Sequence, residues 1–171
     1  MVDLPGFGQS GVPNKTLTME AMATIVCEVL AFENFKSATL LGHSMGGYVA
    51  LAFGELFPKK LDKLILLNSS PTPDSRSRKE NRDRALTIID KNKAAFVTMA
   101  IGNLFNAEEK SKHTLAIKGL KNEALHISAN GVAAAIKAMR DRKDRRTLLK
   151  NIPCEKHIIA GTHDLIMPHQ D

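Results

Sequence analysis

Gly42-His43-Ser44-Met45-Gly46 constrains this chain more than any other stretch. An apolar run suited to a β-strand, Ala38-Thr39-Leu40-Leu41, leads into it. Gly47-Tyr48-Val49-Ala50-Leu51-Ala52-Phe53, suited to a buried helix, leads out. Gly-x-Ser-x-Gly between a strand and a helix has the spacing of a nucleophile elbow. The turn it demands is so sharp that Ser44 must adopt a strained backbone angle, with its hydroxyl directed out of the fold. Side chains two residues to either side would meet the crossing strand and helix, so Gly42 and Gly46 are expected to leave that room empty. The N–H of Met45 falls at the helix start, where it can donate to a developing oxyanion.

The flanking sequence continues the alternation. From a cap at Thr16 or Thr18, Met19, Met22, Ala23, Val26, Cys27 and Leu30 predict a helix to about Phe32. The helix after Ser44 ends near Phe57-Pro58. Leu61–Leu67 follows as a buried strand, and the run Ile152–Gly161 returns to the sheet. Continuous apolar strands separated by helices predict an α/β fold with a mostly parallel sheet. Met1–Ser10 reads as the end of a strand followed by a Gly/Pro loop. Residues 75–146 show helical periodicity alone. Helices are expected over about Lys79–Phe105 and Ala107–His126, with a third carrying Val132, Ala135, Ile136 and Met139. The chain thus divides into a first core segment (1–72), an all-helical insertion (73–146) and a second core segment (147–171).

Composition narrows the partners. Apolar residues make up 43%, enough for a core, and one Tyr with no Trp makes that core aliphatic and Met-rich. The net charge is +6, and residues 75–146 hold 17 basic against 8 acidic side chains. Within them Arg140–Arg146 alternates in sign and lacks base-stacking aromatics. It reads as a solvated helix end, and no nucleic acid is expected as a partner. No apolar run is long enough to span a bilayer, so no membrane is expected either. Cys27 and Cys154 read as buried free thiols, which fits a reducing, cytoplasmic setting. No His/Cys/Asp cluster has ligand spacing, and Gly6-Phe7-Gly8 is too short to cradle phosphate, so no metal or cofactor is expected.

Taken in order, these motifs resemble the α/β-hydrolase family. Asp3-Leu4-Pro5-Gly6-Phe7-Gly8-Gln9-Ser10 is similar to the loop after that family's fourth strand, and Gly42–Gly46 to its elbow. Leu64–Ser69 is similar to its sixth strand, and the helical insertion sits where many members carry a lid. Gly161-Thr162-His163-Asp164, with Pro168, resembles the turn bearing the catalytic acid. The resemblance covers the whole chain, which corresponds to about the middle two-thirds of the family's fold. The sequence therefore reads as an internal fragment, with a sheet edge open to self-association.

The resemblance implies Ser44 as nucleophile, Asp164 as the acid that orients a histidine base, and Met45 N–H as one oxyanion donor. Asp164 also suits a simple cap on the following turn. The family order Ser, acid, His places the base beyond one more helix and strand. None of His43, His113, His126, His157, His163 or His169 is assigned to it, and His163 is expected to turn away from Asp164. The implied reaction is hydrolysis of a carboxylic ester or related acyl bond, with no cofactor, by a chain that is itself weakly active or inactive. The apolar Phe96, Met99, Ile101, Leu104 and Phe105 of the insertion point to a small, hydrophobic substrate, and suit simple packing of the insertion equally well. The alternatives are a non-catalytic binder of small ligands, or a lyase, carbon–carbon hydrolase or cofactor-free peroxidase on the same scaffold.

Overall fold

The computed structural model describes residues 1–13, 16–164, 166 and 167. Thr18 opens the first helix, its Oγ1 accepting from the Ala21 N–H at 3.1 Å and satisfying one donor of the first turn. This helix, α1 (Met19–Phe32), buries Met19, Met22, Ala23 and Val26 at spacings of three and four. Then come β1 (Ala38–His43), α2 (Met45–Leu56), a 3₁₀ turn at Pro58–Lys60, and β2 (Leu61–Leu67). β3 (Glu155–Ile159) completes a parallel sheet in the order β1-β2-β3, with Gly42 opposite Leu66 and Leu66 opposite Ile158. The parallel register brings the carboxyl ends of all three strands to one edge. The loops that begin at Ser44, Asn68 and Ala160 leave the sheet there together.

α2 is the spine of the core. It packs on α1, β1 and β2, and every residue from Gly47 to Gly54 is buried. Phe53, Leu51, Met19, Met22, Leu64 and Leu66 are the largest fully buried side chains. Each is worth about 1.5–3 kcal/mol through apolar burial. The aliphatic, Met-containing core expected from composition is formed. The sheet's other face differs, with Leu41 and Ile159 each more than half exposed, and β3 is open on both faces, Ile158 being 61% exposed.

Helices fill the connection between β2 and β3. Ser75 caps α3 (Arg76–Gly102), its Oγ accepting from Arg78 N at 3.2 Å. The helix breaks at Asn92 (φ −159°, ψ 84°), whose Oδ1 then accepts from Ala95 N at 3.0 Å and caps the second half. The single helix expected over 107–126 is two, α4 (Ala107–Lys112) and α5 (Thr114–His126), because His113 leaves helical geometry between them. α6 (Ala129–Arg140) is capped by Ser128, and α7 (Arg146–Asn151), which periodicity did not single out, leads into β3.

Three sequence expectations are corrected. Arg140–Arg146 is not a wholly solvated helix end. The Arg142 and Arg145 side chains are each 2% exposed. Arg142 Nη1 lies 2.6 Å from Asp74 Oδ1, with its guanidinium 4.0 Å over the Tyr48 ring. Arg145 Nη2 reaches Glu20 at 2.6 Å and Glu55 at 2.8 Å. Long cationic stems whose heads meet acid partners can enter a core that unpaired charges cannot. Lys143 and Arg146 do stay exposed. Residues 1–4 form no strand. Asp3 folds onto its own loop instead, Oδ2 accepting from Gln9 N at 3.1 Å and its carbonyl from Ser10 Oγ at 2.8 Å. Cys27 and Cys154 are free, as expected, but half-buried rather than buried. Among the described residues, no helix is long and apolar enough to cross a membrane.

Candidate active site

Ser44 sits between β1 and α2 with φ 51° and ψ −116°, a conformation that L-residues rarely adopt. Its neighbours hold it there. The Ser44 N–H donates to the Leu67 carbonyl at 3.0 Å. Its own carbonyl accepts from Gly47 N at 3.0 Å and from Ser69 Oγ at 2.8 Å. Strain of this kind, costing on the order of 1–3 kcal/mol, persists where the surroundings over-determine it. The next residue, Met45, heads α2, so its N–H lies at the positive end of that helix.

The glycines divide differently from the sequence expectation. A Cβ on Gly42 would lie 2.4 Å from the Gly46 carbonyl oxygen and 2.5 Å from Gly47 Cα, so Gly42 is required. Among the described residues, a Cβ on Gly46 would meet nothing within 4 Å, so the steric role expected there is not seen. The tight position is Gly47, where a Cβ would fall 2.2 Å from Ser69 Oγ. One residue further along the helix, the chain has turned to face the end of β2.

Asp164 lies beyond β3 at the same sheet edge. Its Oδ1 accepts from Ile166 N at 2.8 Å and Met167 N at 2.9 Å. The capping contact weighed from sequence therefore exists. Among the described residues, Oδ2 has no hydrogen-bond partner. Asn68, which the sequence reading passed over, links the two strand ends. At φ 42° its N–H donates to the Ile159 carbonyl at 2.8 Å, and its Oδ1 accepts from Gly161 N at 2.9 Å. An Asn at the carboxyl end of a strand, followed by two serines, was the signal available.

Ser44 and Asp164 line one cavity of about 620 Å³. Leu104, Phe105 and Leu120 from the helical segment form part of its wall, with Ile166 and Met167 beside Asp164. Of the five apolar residues expected to face a substrate, Leu104 and Phe105 line this cavity. Phe96 lines a separate cavity and Met99 is 49% exposed. His163, expected to turn away from Asp164, has its Nδ1 3.4 Å from Thr162 Oγ1 and lines the Ser44 cavity, as does His43. His126 bonds to the Asn122 carbonyl of its own helix and His157 to Glu155. Pro168 and His169 lie outside the described residues.

A serine in a strained turn and a carboxylate thus line one cavity, with the head of α2 directly after the serine. The family model described as alpha/beta hydrolase fold matches residues 1–171, and the chain belongs to that family. A thermophilic esterase from Thermogutta terrifontis, solved with malate bound, is 34% identical with a TM-score of 0.90, the match covering 98% of this chain and 62% of that one. The esterase EaEST from Exiguobacterium antarcticum shares the fold at 23% identity and a TM-score of 0.84, over 98% of this chain and 64% of its own. RutD of Yersinia enterocolitica, provisionally named a carbamate hydrolase, is 26% identical over 98% of this chain and 61% of its own length. The chain thus spans about three-fifths of the length of these relatives.

Proposed function

We propose that Ser44 is the nucleophile of a serine hydrolase that cleaves a carboxylic ester or related acyl bond through an acyl-enzyme. The observation that carries the reading is the Ser44 backbone, strained at φ 51° and pinned at both its N–H and its carbonyl, at the wall of a cavity shared with Asp164. The likeness to esterases and to a protein named for carbamate hydrolysis supports it. Esters and carbamates both present a carbonyl carbon bearing a heteroatom leaving group. In the proposed cycle a histidine removes the Ser44 proton as Oγ attacks the carbonyl carbon. Met45 N–H donates to the oxygen that becomes an anion. The histidine returns its proton to the departing alcohol, and water then cleaves the acyl-enzyme by the same steps. Asp164 orients the histidine through Oδ2, while the two N–H groups on Oδ1 hold the carboxylate still. Residues 73–146 act as the lid, with Leu104, Phe105 and Leu120 walling the acyl site. The base is assigned to a residue outside residues 1–171.

A short p-nitrophenyl ester assay tests this. The extended protein should hydrolyse the ester, and Ser44→Ala should lower kcat by about 10⁴-fold or more. Turnover unchanged by Ser44→Ala would overturn the nucleophile. The 171-residue chain alone should show little Ser44-dependent turnover. Vigorous turnover by that chain, lost on His163→Ala, would move the base to His163.

A further inference from the structure

A second cavity, of about 340 Å³, adjoins the Ser44 cavity, with Ile166 as their shared wall. One side is polar and formed by Arg78, Asn81 and Arg82 of the first turns of α3. The other is apolar and formed by Ala85, Phe96 and Ile136. Among the described residues no carboxylate lines it.

The polar side offers donors. Arg82 Nε is engaged with Asp74 Oδ2 at 3.0 Å. Its Nη1 and Nη2 have no partner among the described residues, and the side chain is 27% exposed. Asn81 accepts from Arg84 through Oδ1, leaving its NH₂ as the free end. Arg78 Nη2 donates to the Ile166 carbonyl at 2.8 Å and so holds the wall between the two cavities.

Among the described residues, the ion pairs around Arg82 leave more guanidinium than carboxylate. Asp74 serves two guanidinium groups at once, Arg82 through Oδ2 and Arg142 through Oδ1. Arg142 Nη2 is buried without an acceptor among the described residues. The other acids on this part of α3 are engaged elsewhere, Glu80 with Arg76 and Asp83 with Arg140. A planar anion bound to the outer fork of Arg82 would offset the excess, and guanidinium suits a carboxylate in that geometry. The apolar side would take a short hydrocarbon arm.

We propose that this cavity is a carboxylate subsite, so that the ester cleaved at Ser44 carries an acid group on a short aliphatic arm, as in the half-ester of a dicarboxylic acid. The assignment rests on the Ser44 reading for its substrate, but its test reads binding. Monomethyl adipate and its neutral control, dimethyl adipate, are titrated calorimetrically into the chain carrying Ser44→Ala. The half-ester should bind more tightly than the diester, and Arg82→Gln should weaken it by about tenfold or more, the loss expected for a charge-assisted fork. Because Arg82 also touches buried Asp74, Asn81→Asp serves as a second variant at an exposed position. It sets a like charge in the cavity and should weaken the half-ester while leaving the diester unchanged. Equal binding of the two esters, no half-ester binding, or half-ester binding unchanged in both variants overturns the subsite. Arg82-dependent binding without any ester turnover by the extended protein would strike the Ser44 reading and support the subsite. Turnover indifferent to Arg82 and to Asn81→Asp would do the reverse.

Discussion

Ser44, which caps the start of α2, and Asn103, which caps the end of α3, line the same cavity, yet the two helices are held by opposite physics. α2 has twelve residues and buries eight in a row, wedged between α1 and the sheet. α3 has twenty-seven, and only Ile89 and Val97 are buried among the described residues. The helix that presents Ser44 is fixed by close packing along Gly47–Gly54. The helical segment over the site is fixed at its base, where Asp74 at its start binds Arg142 at its end. Close packing resists small movement, so the segment tied at its base is expected to open before α2 does.

The largest effect should come from opening that base. Asp74→Ala leaves the Arg142 guanidinium, 2% exposed, facing Tyr48 and two carbonyls without its carboxylate. Losing one partner of a buried pair costs about 3–5 kcal/mol. Hydrogen exchange should show residues 76–140 losing protection first, with α2 retaining its own. If α2 and the helical segment lose protection together, the two regions are not separately held. Asp144→Ala, which removes an exposed partner of Arg146, should leave the melt unchanged.

This contrast also marks where the sequence could be read. Ser44, Asp164 and the strands are legible because each depends on local pattern: a strand, a glycine two residues before the serine, a carboxylate just past a strand end. The pairing of Asp74 with Arg142 spans 68 residues and leaves no local trace. Arg142 and Arg145 look like their exposed neighbours Lys143 and Arg146, so the run reads as solvated. Ser69 and Asn68 were missed for a related reason, since what they hold, Ser44 and Gly161, belongs to other strands' loops. The Gly46 error was one of phase, because the helix turns about 100° per residue and carries the tight approach on to Gly47.

A pair of glycine substitutions sharpens the packed side of the comparison. Gly42→Ala forces a methyl into backbone atoms that cannot rotate away, and should cost about 1–3 kcal/mol or more in denaturant unfolding. Gly46→Ala meets open space inside a helix, and should be neutral or stabilise by up to about 0.5–1 kcal/mol. Equal effects at the two positions would mean the turn relaxes more freely than its geometry indicates. Gly47→Ala meets a side chain that can swing, so its cost should appear less in stability than in ester turnover, through the displaced Ser69–Ser44 bond.

The smallest effect, and the most selective, should be that of acid. Burial pushes the Glu20 carboxyl upward, but its own backbone N–H, Arg145 and Lys143 outweigh that and lower its pKa from 4.5 to about 2. A carboxylate depressed in the folded state stabilises fully above its unfolded pKa. That contribution is lost as pH falls through the folded one. Between pH 4.5 and about 2, the Glu20 link from α1 to Arg145 should therefore fade, while Glu55 still holds Arg145. No carboxylate lies in the buried run Gly47–Gly54 of α2, so the packed spine has nothing to lose over the same range. Thermal melts across this window should flatten in Glu20→Gln relative to the parent chain. Identical profiles would show that Arg145 is held by Glu55 alone, and that the clamp beneath the site is a pair rather than a fork.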